Sequence, residues 1–381
     1  MALTVGIVVC AVILAVAFIA SFARPETPTC YTTTQEPVII PPEEVNNTKP
    51  EPISYNGKLF PWNHIRLPNT IQPWTYDLFL HPNLTTTLVI GNVTILCQTS
   101  SSTNFIVLHV DSMNITEITV HSHFNNEVIG TREVLFYQAN SLMYIKLDRP
   151  LEINELFDLR IYFRYHLLEI LSGFYLSSYT AEDGSTRYLA TTQFEASGAR
   201  KAFPCFDEPQ MKANFSLSMV REERHITLFN MPLKSTSAYM HGLTLDSFDT
   251  TLKMSTYLVA FVVSDFVNQT KYSANGIQVR VFANKENIHL TSYALDNAVT
   301  ILDYFEKFYG LPYPLPKLDP DHYLSLYRSR PLSFSLPIQT IIFLFTCPDH
   351  YLSLYQSRPL SFSLPVQTII FLFTYLYHLS I

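Results

Sequence analysis

Alternation of apolar and polar residues, recurring from Leu59 to about Ala283, constrains this chain more than any other feature. Trp74-Thr-Tyr-Asp-Leu-Phe-Leu80 alternates around Asp77. Thr87–Cys97, Asn104–Val110, Ile115–His121, Leu142–Leu147, Phe157–Tyr165, Ala213–Val220, Tyr257–Val263 and Ile277–Ala283 follow as alternating or short apolar runs. Successive side chains on a strand point to opposite faces, so each run can bury one face and leave the other to water. Val, Ile, Thr, Tyr and Phe dominate these runs, the residues that fit a pleated surface. Their spacing, about 10–15 residues with turn signals between, predicts a mainly β, antiparallel sandwich or saddle-shaped sheet.

One segment breaks that texture. Over His289–Tyr309, apolar side chains at Ala294, Ala298, Ile301, Leu302, Phe305 and Phe308 fall at helical spacing. Thr291 is expected to cap the start, Gly310 to follow the last turn and Pro312 to block continuation. The reading is therefore a β domain over 58–275 and the start of an α-containing region over 276–319.

The flanks read differently. Residues 1–23 carry no charged side chain and form a run long enough to span a bilayer. The lack of a basic start and the length favour a signal-anchor; the small-x-small Ser21-Phe22-Ala23 keeps a cleaved signal peptide open. Either places the rest of the chain in the secretory lumen or outside the cell. Residues 24–57, rich in Pro, Thr, Glu and Asn, are expected to form an extended stalk. Six N-x-S/T acceptors, at Asn46, Asn83, Asn92, Asn114, Asn214 and Asn268, all follow the apolar run and suit an exported chain. At the other end, residues 320–347 and 348–375 are near copies, differing at Arg328/Gln356, Ile338/Val366 and Cys347/Tyr375. Two copies are too few for a solenoid. The stretch reads as a tandem duplication without a fold of its own, with an interaction tail as the alternative.

Composition excludes several functions. The chain has 381 residues with 48% apolar, 10 glycines and a net charge of −7. No G-x-G-x-x-G run exists to cradle a nucleotide, and no basic tract to follow a nucleic-acid backbone. Five cysteines (10, 30, 97, 205 and 347) contain no C-x-x-C. A Cys30–Cys97 disulfide and buried free thiols both remain open. There is no H-E-x-x-H and no G-x-S-x-G. His121 and His123 put two imidazoles on one strand face without an evident third ligand, and His166-Leu-Leu-Glu169 is half a metal motif at a strand end.

The densest cluster of unusual residues is Glu195-Ala-Ser-Gly-Ala-Arg-Lys-Ala-Phe-Pro-Cys-Phe-Asp-Glu-Pro209. Pro204 and Pro209 fix backbone angles around a turn. Asp207 and Glu208 are expected to accept backbone N–H groups or to meet Arg200 and Lys201, and Cys205 to be a buried thiol. These residues read as structural rather than catalytic, because neighbours on extended backbone point apart.

With that run in hand, the sequence resembles the zinc aminopeptidases of the oxytocinase subfamily. The resemblance rests on Phe60–Pro68, Tyr76–Leu78, His81–Thr85, Gly173–Tyr175, Thr192–Glu195, Ala202–Pro209, Lys212–Phe215, Asn230–Pro232, Lys253–Ala260 and Tyr313–Asp319, and it covers about residues 58–319. It implies that the start of a thermolysin-like catalytic domain follows the β domain. It also implies that the reaction of such enzymes is attack of a zinc-bound water on the first peptide bond of a peptide. In the family, the position of Glu195 binds the substrate's free amine and that of Gln193 shapes the pocket for the first side chain. The zinc ligands and the G-A-M-E-N strand belong after Asp319, where this sequence runs into its repeat. The expectation is thus an N-terminal portion without catalytic residues, metal ligands or a cofactor of its own. One exposed ammonium–carboxylate contact contributes about 0–1 kcal/mol. Millimolar binding needs about 4 kcal/mol, so peptide binding through Glu195 alone is expected to be weak. The further partners to expect are a membrane through residues 1–23 and full-length aminopeptidase chains, with the protein acting as their non-catalytic partner or arising from a truncated reading frame.

Overall fold

A computed structural model describes residues 51–319. The anchor, most of the stalk, Cys10, Cys30, Asn46, Cys347 and the repeat lie outside the described residues. In chain order the strands are β1 (Ile71–Pro82), β2 (Leu88–Thr99), β3 (Thr103–His109), β4 (Asn114–Ser122), β5 (Val128–Ile129), β6 (Thr131–Tyr137), β7 (Leu142–Leu151), β8 (Leu156–His166) and β9 (Gly173–Thr180). They continue as β10 (Thr186–Gln193), β11 (Asn214–Glu222), β12 (Ile226–Phe229), β13 (Leu233–Met240), β14 (Leu243–Phe248), β15 (Phe261–Ser264), β16 (Val267–Tyr272), β17 (Gln278–Ala283) and β18 (Lys317–Leu318), with the helix α1 (Ser292–Tyr309) before the last.

The mainly β reading holds. The largest sheet runs β13-β14-β11-β1-β2-β8-β4-β5, and smaller sheets are β3-β7-β6, β12-β15-β10-β9 and β16-β17-β18. The pairing is antiparallel except for β1–β11 and β17–β18, which are parallel. The inner face of the large sheet (Leu78, Val93, Ile161 and Phe215 among others) shares one core with β3 and β7 (Ile106, Leu108, Met143, Ile145) and with Phe174 and Phe261 of the four-stranded sheet. Burying a side chain of this size contributes roughly 1.5–3 kcal/mol, so this shared core dominates the energetics.

Around β17 a second core forms: Val279 and Val281 pack on Leu295, Ala298, Leu302 and Phe305 of α1, with Tyr313 and Leu315. The helix differs from expectation in two details. Its buried stripe is Leu295, Ala298, Leu302 and Phe305, while Phe308 is 64% exposed and stacks on Tyr304. Thr291 already has helical backbone angles, and its hydroxyl donates backwards to the Ile288 carbonyl, so it caps nothing. Gly310 adopts a positive φ of 64° and closes the helix as expected.

Three smaller expectations are corrected. Residues 51–57, read with the stalk, fold onto the domain: Ile53 bridges to Leu59, and the buried Ser54 accepts the Phe136 N–H. Over Tyr257–Val263, Thr256–Leu258 is a 3-10 turn and only Phe261–Ser264 is strand. The three-stranded sheet around β17 begins at Val267, ahead of residue 276.

Candidate amine-recognition site

β10 ends at Gln193, opposite Gly173 at the start of β9. The chain then turns sharply. The Gly198 N–H donates to the Phe194 carbonyl at 2.6 Å, and Ala199–Lys201 form a 3-10 turn. Gly198 is required here, because an added Cβ would lie 2.4 Å from the Gln193 carbonyl oxygen. Gly173 is a second tight point, with φ of 76° and Lys201 Cβ at 2.7 Å from its own virtual Cβ. These two glycines let two backbone segments and the turn stack closely enough to hold residues 193–201 in one conformation.

Beyond the turn the run goes inward. Phe194, Ala199, Ala202, Phe203, Cys205 and Phe206 are all buried. Phe203 meets Phe194 and Tyr76 edge to face, and Tyr76 stacks on Phe215 at 4.6 Å. Backbone and side-chain bonds tie the run to three distant elements. Cys205 and His109 exchange both backbone bonds, at 2.9 and 3.1 Å. The Phe206 N–H donates to the Tyr76 hydroxyl, and the Asp207 N–H to His109 Nδ1. The Thr256 hydroxyl donates to the Phe206 carbonyl and the Ser255 hydroxyl to the Pro209 carbonyl.

The two acids at its end are structural in the same sense. Arg200 Nε donates to Asp207 Oδ2 at 2.9 Å, as the sequence suggested. Glu208 does not reach Lys201. It accepts the Leu67 N–H at 3.1 Å and Arg66 Nη1 at 2.5 Å, clamping the segment that leads into β1, while Lys201 donates to the Ser172 hydroxyl. Burial raises the Asp207 carboxyl above its usual range, with Arg200 offsetting only part of that. His109 is pushed down to about 3 by burial and by the nearby Arg200 cation, so it is a neutral acceptor for the Asp207 N–H. Among the described residues Cys97 and Cys205 are buried free thiols, both pushed well up by burial.

Glu195 is the exception in this run. It is exposed at the rim where β10 ends, the Glu195–Ala196 peptide is cis, and the Gln193 amide donates to the Glu195 carbonyl at 3.3 Å. The two residues singled out from the sequence therefore stand together. Sequence reasoning missed a third, Tyr257. Its phenol is raised to about 12 by burial and then by the negative charge of Glu195, so the two groups lie close enough to interact electrostatically. The signal was present, since Tyr257 lies within the resembling stretch Lys253–Ala260, but nothing in that stretch marked it as a neighbour. Elsewhere, His123 Nδ1 lies 3.1 Å from the Asp158 carboxylate, and His166 meets the Thr87 hydroxyl at the end of β8. Among the described residues no three His, Cys, Asp or Glu side chains converge as metal ligands.

Residues 72–258 match the model of the peptidase M1 N-terminal domain. That part of the chain is a peptidase M1 N-terminal domain. The M1 match spans the strands from β1 to β14, including the rim that carries Gln193 and Glu195 and the turn that carries Tyr257. Endoplasmic reticulum aminopeptidase 1 of Rattus norvegicus is 40% identical over 276 residues, 72% of this chain and 30% of the relative. Endoplasmic reticulum aminopeptidase 2 of Homo sapiens is 40% identical over 271 residues, 70% and 28% respectively. Aminopeptidase A of Gloydius brevicauda is 35% identical over 259 residues, 68% and 27%. The chain thus spans about 30% of the length of these M1 relatives.

Proposed function

We propose that this chain is the N-terminal β module of a membrane-anchored or lumenal aminopeptidase. In this reading Glu195 meets the free ammonium of a peptide, Gln193 borders the space for the first side chain, and the 381 residues do not cleave the peptide bond themselves. The single observation that carries the reading is the exposed Glu195 at the end of β10, on a rim built from buried residues, with its backbone carbonyl accepting the Gln193 amide. A fixed anionic group at the edge of a rigid scaffold is what recognition of an amino terminus requires. The names of the relatives support the substrate class and the secretory compartment. Residues 1–23 would supply the anchor. The sequons would carry sugar, and among the described residues no helix is long and apolar enough to cross a membrane.

The family's zinc does not fit the residues described. No three potential ligands converge among them, and no H-E-x-x-H stands in the sequence, so no chemical step is routed through a metal here. The test is an assay of the purified full chain against fluorogenic amino-acid amides with added zinc. No turnover is expected; zinc-dependent turnover overturns the reading.

One observation favours a second role. Tyr293, Tyr304 and Phe308 leave α1 with an exposed apolar stripe, extended by Leu311 just beyond its end, the kind of surface that binds another protein. Retention of full-length aminopeptidase chains on the immobilised protein would support a non-catalytic partner. A monodisperse monomer retaining none would remove it.

A further inference from the structure

The outer face of the eight-stranded sheet carries apolar groups that nothing in the proposed function uses. Ile90 is 51% exposed and Tyr162 42%, and Phe79 lies half-buried beside them. Asn92 sits among them. It is the register partner of Phe79 on β1 and of Tyr162 on β8. The buried flanking residues Leu78, Leu80, Ile161 and Phe163 fix the alternation, so Phe79, Asn92 and Tyr162 share the outer face. Directly opposed residues on such a face have Cβ atoms about 4.5–5.5 Å apart. Gly91 locks the register, since an added Cβ there would sit 2.7 Å from Phe163 Cζ on the inner side. Ile90 and Thr94, two residues to either side, therefore point outward with Asn92.

Asn92-Val93-Thr94 is one of the sequons. The sequons differ in how their amides are engaged. Asn214 Nδ2 already donates to the Thr251 carbonyl at 2.8 Å. Asn83 Oδ1 accepts the N–H groups of Thr85 and Thr86, and Asn268 Oδ1 accepts the Thr270 hydroxyl. Among the described residues neither the Asn92 nor the Asn114 side chain has a hydrogen-bond partner, and of the two only Asn92 is paired with a ring on each side, Asn114 standing opposite Arg164. A free amide between two rings gains nothing from them. A sugar ring there would gain, because its axial C–H groups carry partial positive charge and pack on the negative faces of aromatic rings while its hydroxyls stay in water.

We propose that Asn92 carries an N-linked glycan whose first sugar packs over Phe79 and Tyr162 and closes this apolar stripe. The inference rests on the secretory reading above. The donor is a lipid-linked diphospho-oligosaccharide. The bond between sugar C1 and the diphosphate oxygen breaks, the Asn92 Nδ2–C1 bond forms, Nδ2 gives up one proton, and the lipid diphosphate leaves.

The experiment is expression of the full chain in a eukaryotic secretory host, with site occupancy read by mass spectrometry after enzymatic release converts each glycosylated Asn to Asp. Asn92 is expected to be occupied, and Thr94→Ala to lose that glycan alone. Thr94→Ala is also expected to lower Tm by about 2 °C, and to lower it no further in a Tyr162→Thr background. Should Thr94→Ala fold poorly, Thr94→Ser retains the acceptor and Asn92→Gln removes it by another route, giving the same comparison. A bare Asn92 beside an occupied Asn83, Asn114 or Asn268 overturns this proposal and leaves the secretory reading standing. Bare asparagines at all the sequons overturn both. An occupied Asn92 whose loss costs the same Tm with and without the Tyr162 ring overturns the sugar–aromatic contact.

Discussion

Two ends of one run of residues carry carboxylates in opposite circumstances. At Asp207 and Glu208 the acids are buried, each satisfied by an arginine and by backbone, and they lock the run to β3 and to the segment before β1. At Glu195, twelve residues earlier than Asp207, the residue is exposed, its charge acts on the Tyr257 phenol, and its backbone carbonyl accepts the Gln193 amide. Chemical type does not separate them; surroundings do. The buried acids cost free energy to desolvate and recover it only through their partners, so they make the scaffold sensitive to change. The exposed acid costs almost nothing to keep, so the fold can hold it available for a ligand. The inner end builds the rigidity that gives the outer end a fixed position.

The contrast is broken most directly at the inner end. Asp207→Ala leaves Arg200, whose side chain is only 16% exposed, without its counter-charge. The expected loss is about 3–5 kcal/mol, the cost of removing one partner of a buried pair. Urea unfolding of the full chain followed by circular dichroism measures it. A loss below about 1 kcal/mol would mean that water reaches Arg200 freely and that the inner end is no clamp.

The second effect is acid sensitivity. His109 has its folded value lowered from 6.5 to about 3. Its contribution is therefore present above pH 6.5 and is lost as pH falls towards 3. Between pH 6.5 and pH 4 the loss is about 3 kcal/mol, at 1.36 kcal/mol per pH unit. Asp207 acts in the opposite sense. Its raised folded value means that its contribution is present at low pH and lost as pH rises, so it offsets part of the acid loss. His109→Asn keeps a side-chain acceptor for the Asp207 N–H and removes the titration. Its stability is expected to fall with a clearly smaller slope than that of the unsubstituted chain, the remainder coming from His81 and His225, whose values burial also lowers, offset in part by Asp207. Equal slopes would place the acid-sensitive group elsewhere.

The same division explains what was legible in the sequence. Strands with one face in the core announced themselves, as β1, β2 and β8 did through Leu78, Val93 and Ile161. β13, Leu-Lys-Ser-Thr-Ser-Ala-Tyr-Met, is exposed at every position on the sheet's edge, so it carries no alternation to detect. The parallel pairing of β1 with β11 joins segments more than a hundred residues apart and follows from packing, not from local pattern. In α1, the stripe from Leu295 to Phe305 was legible, but Phe308 was assigned to it because aromatic residues at helical spacing look alike whether a neighbour covers them or not. At the site, Glu195 and Gln193 came from the family resemblance, and Asp207 with Arg200 from charge complementarity. The bond of Glu208 to Arg66 and Leu67 was illegible, since it spans about 140 residues. Tyr257 was missed for the same reason.

The smallest expected effect sharpens the contrast from the outer end. Glu195→Gln removes an exposed charge that forms no ion pair among the described residues, so stability should stay within about 0.5 kcal/mol of the unsubstituted chain. It keeps the size and the backbone carbonyl that accepts the Gln193 amide. Tyr257 should respond: with the neighbouring charge gone, part of the upward shift of its phenol disappears, and titration followed by ultraviolet absorbance should show it ionising at lower pH. Burial, the larger cause, remains, so the phenol should not return to 10. An unchanged phenol would mean that Glu195 points away from Tyr257 and that the rim is not the assembled site inferred here. A destabilisation comparable to that of Asp207→Ala would make Glu195 one more structural acid and erase the distinction between the two ends.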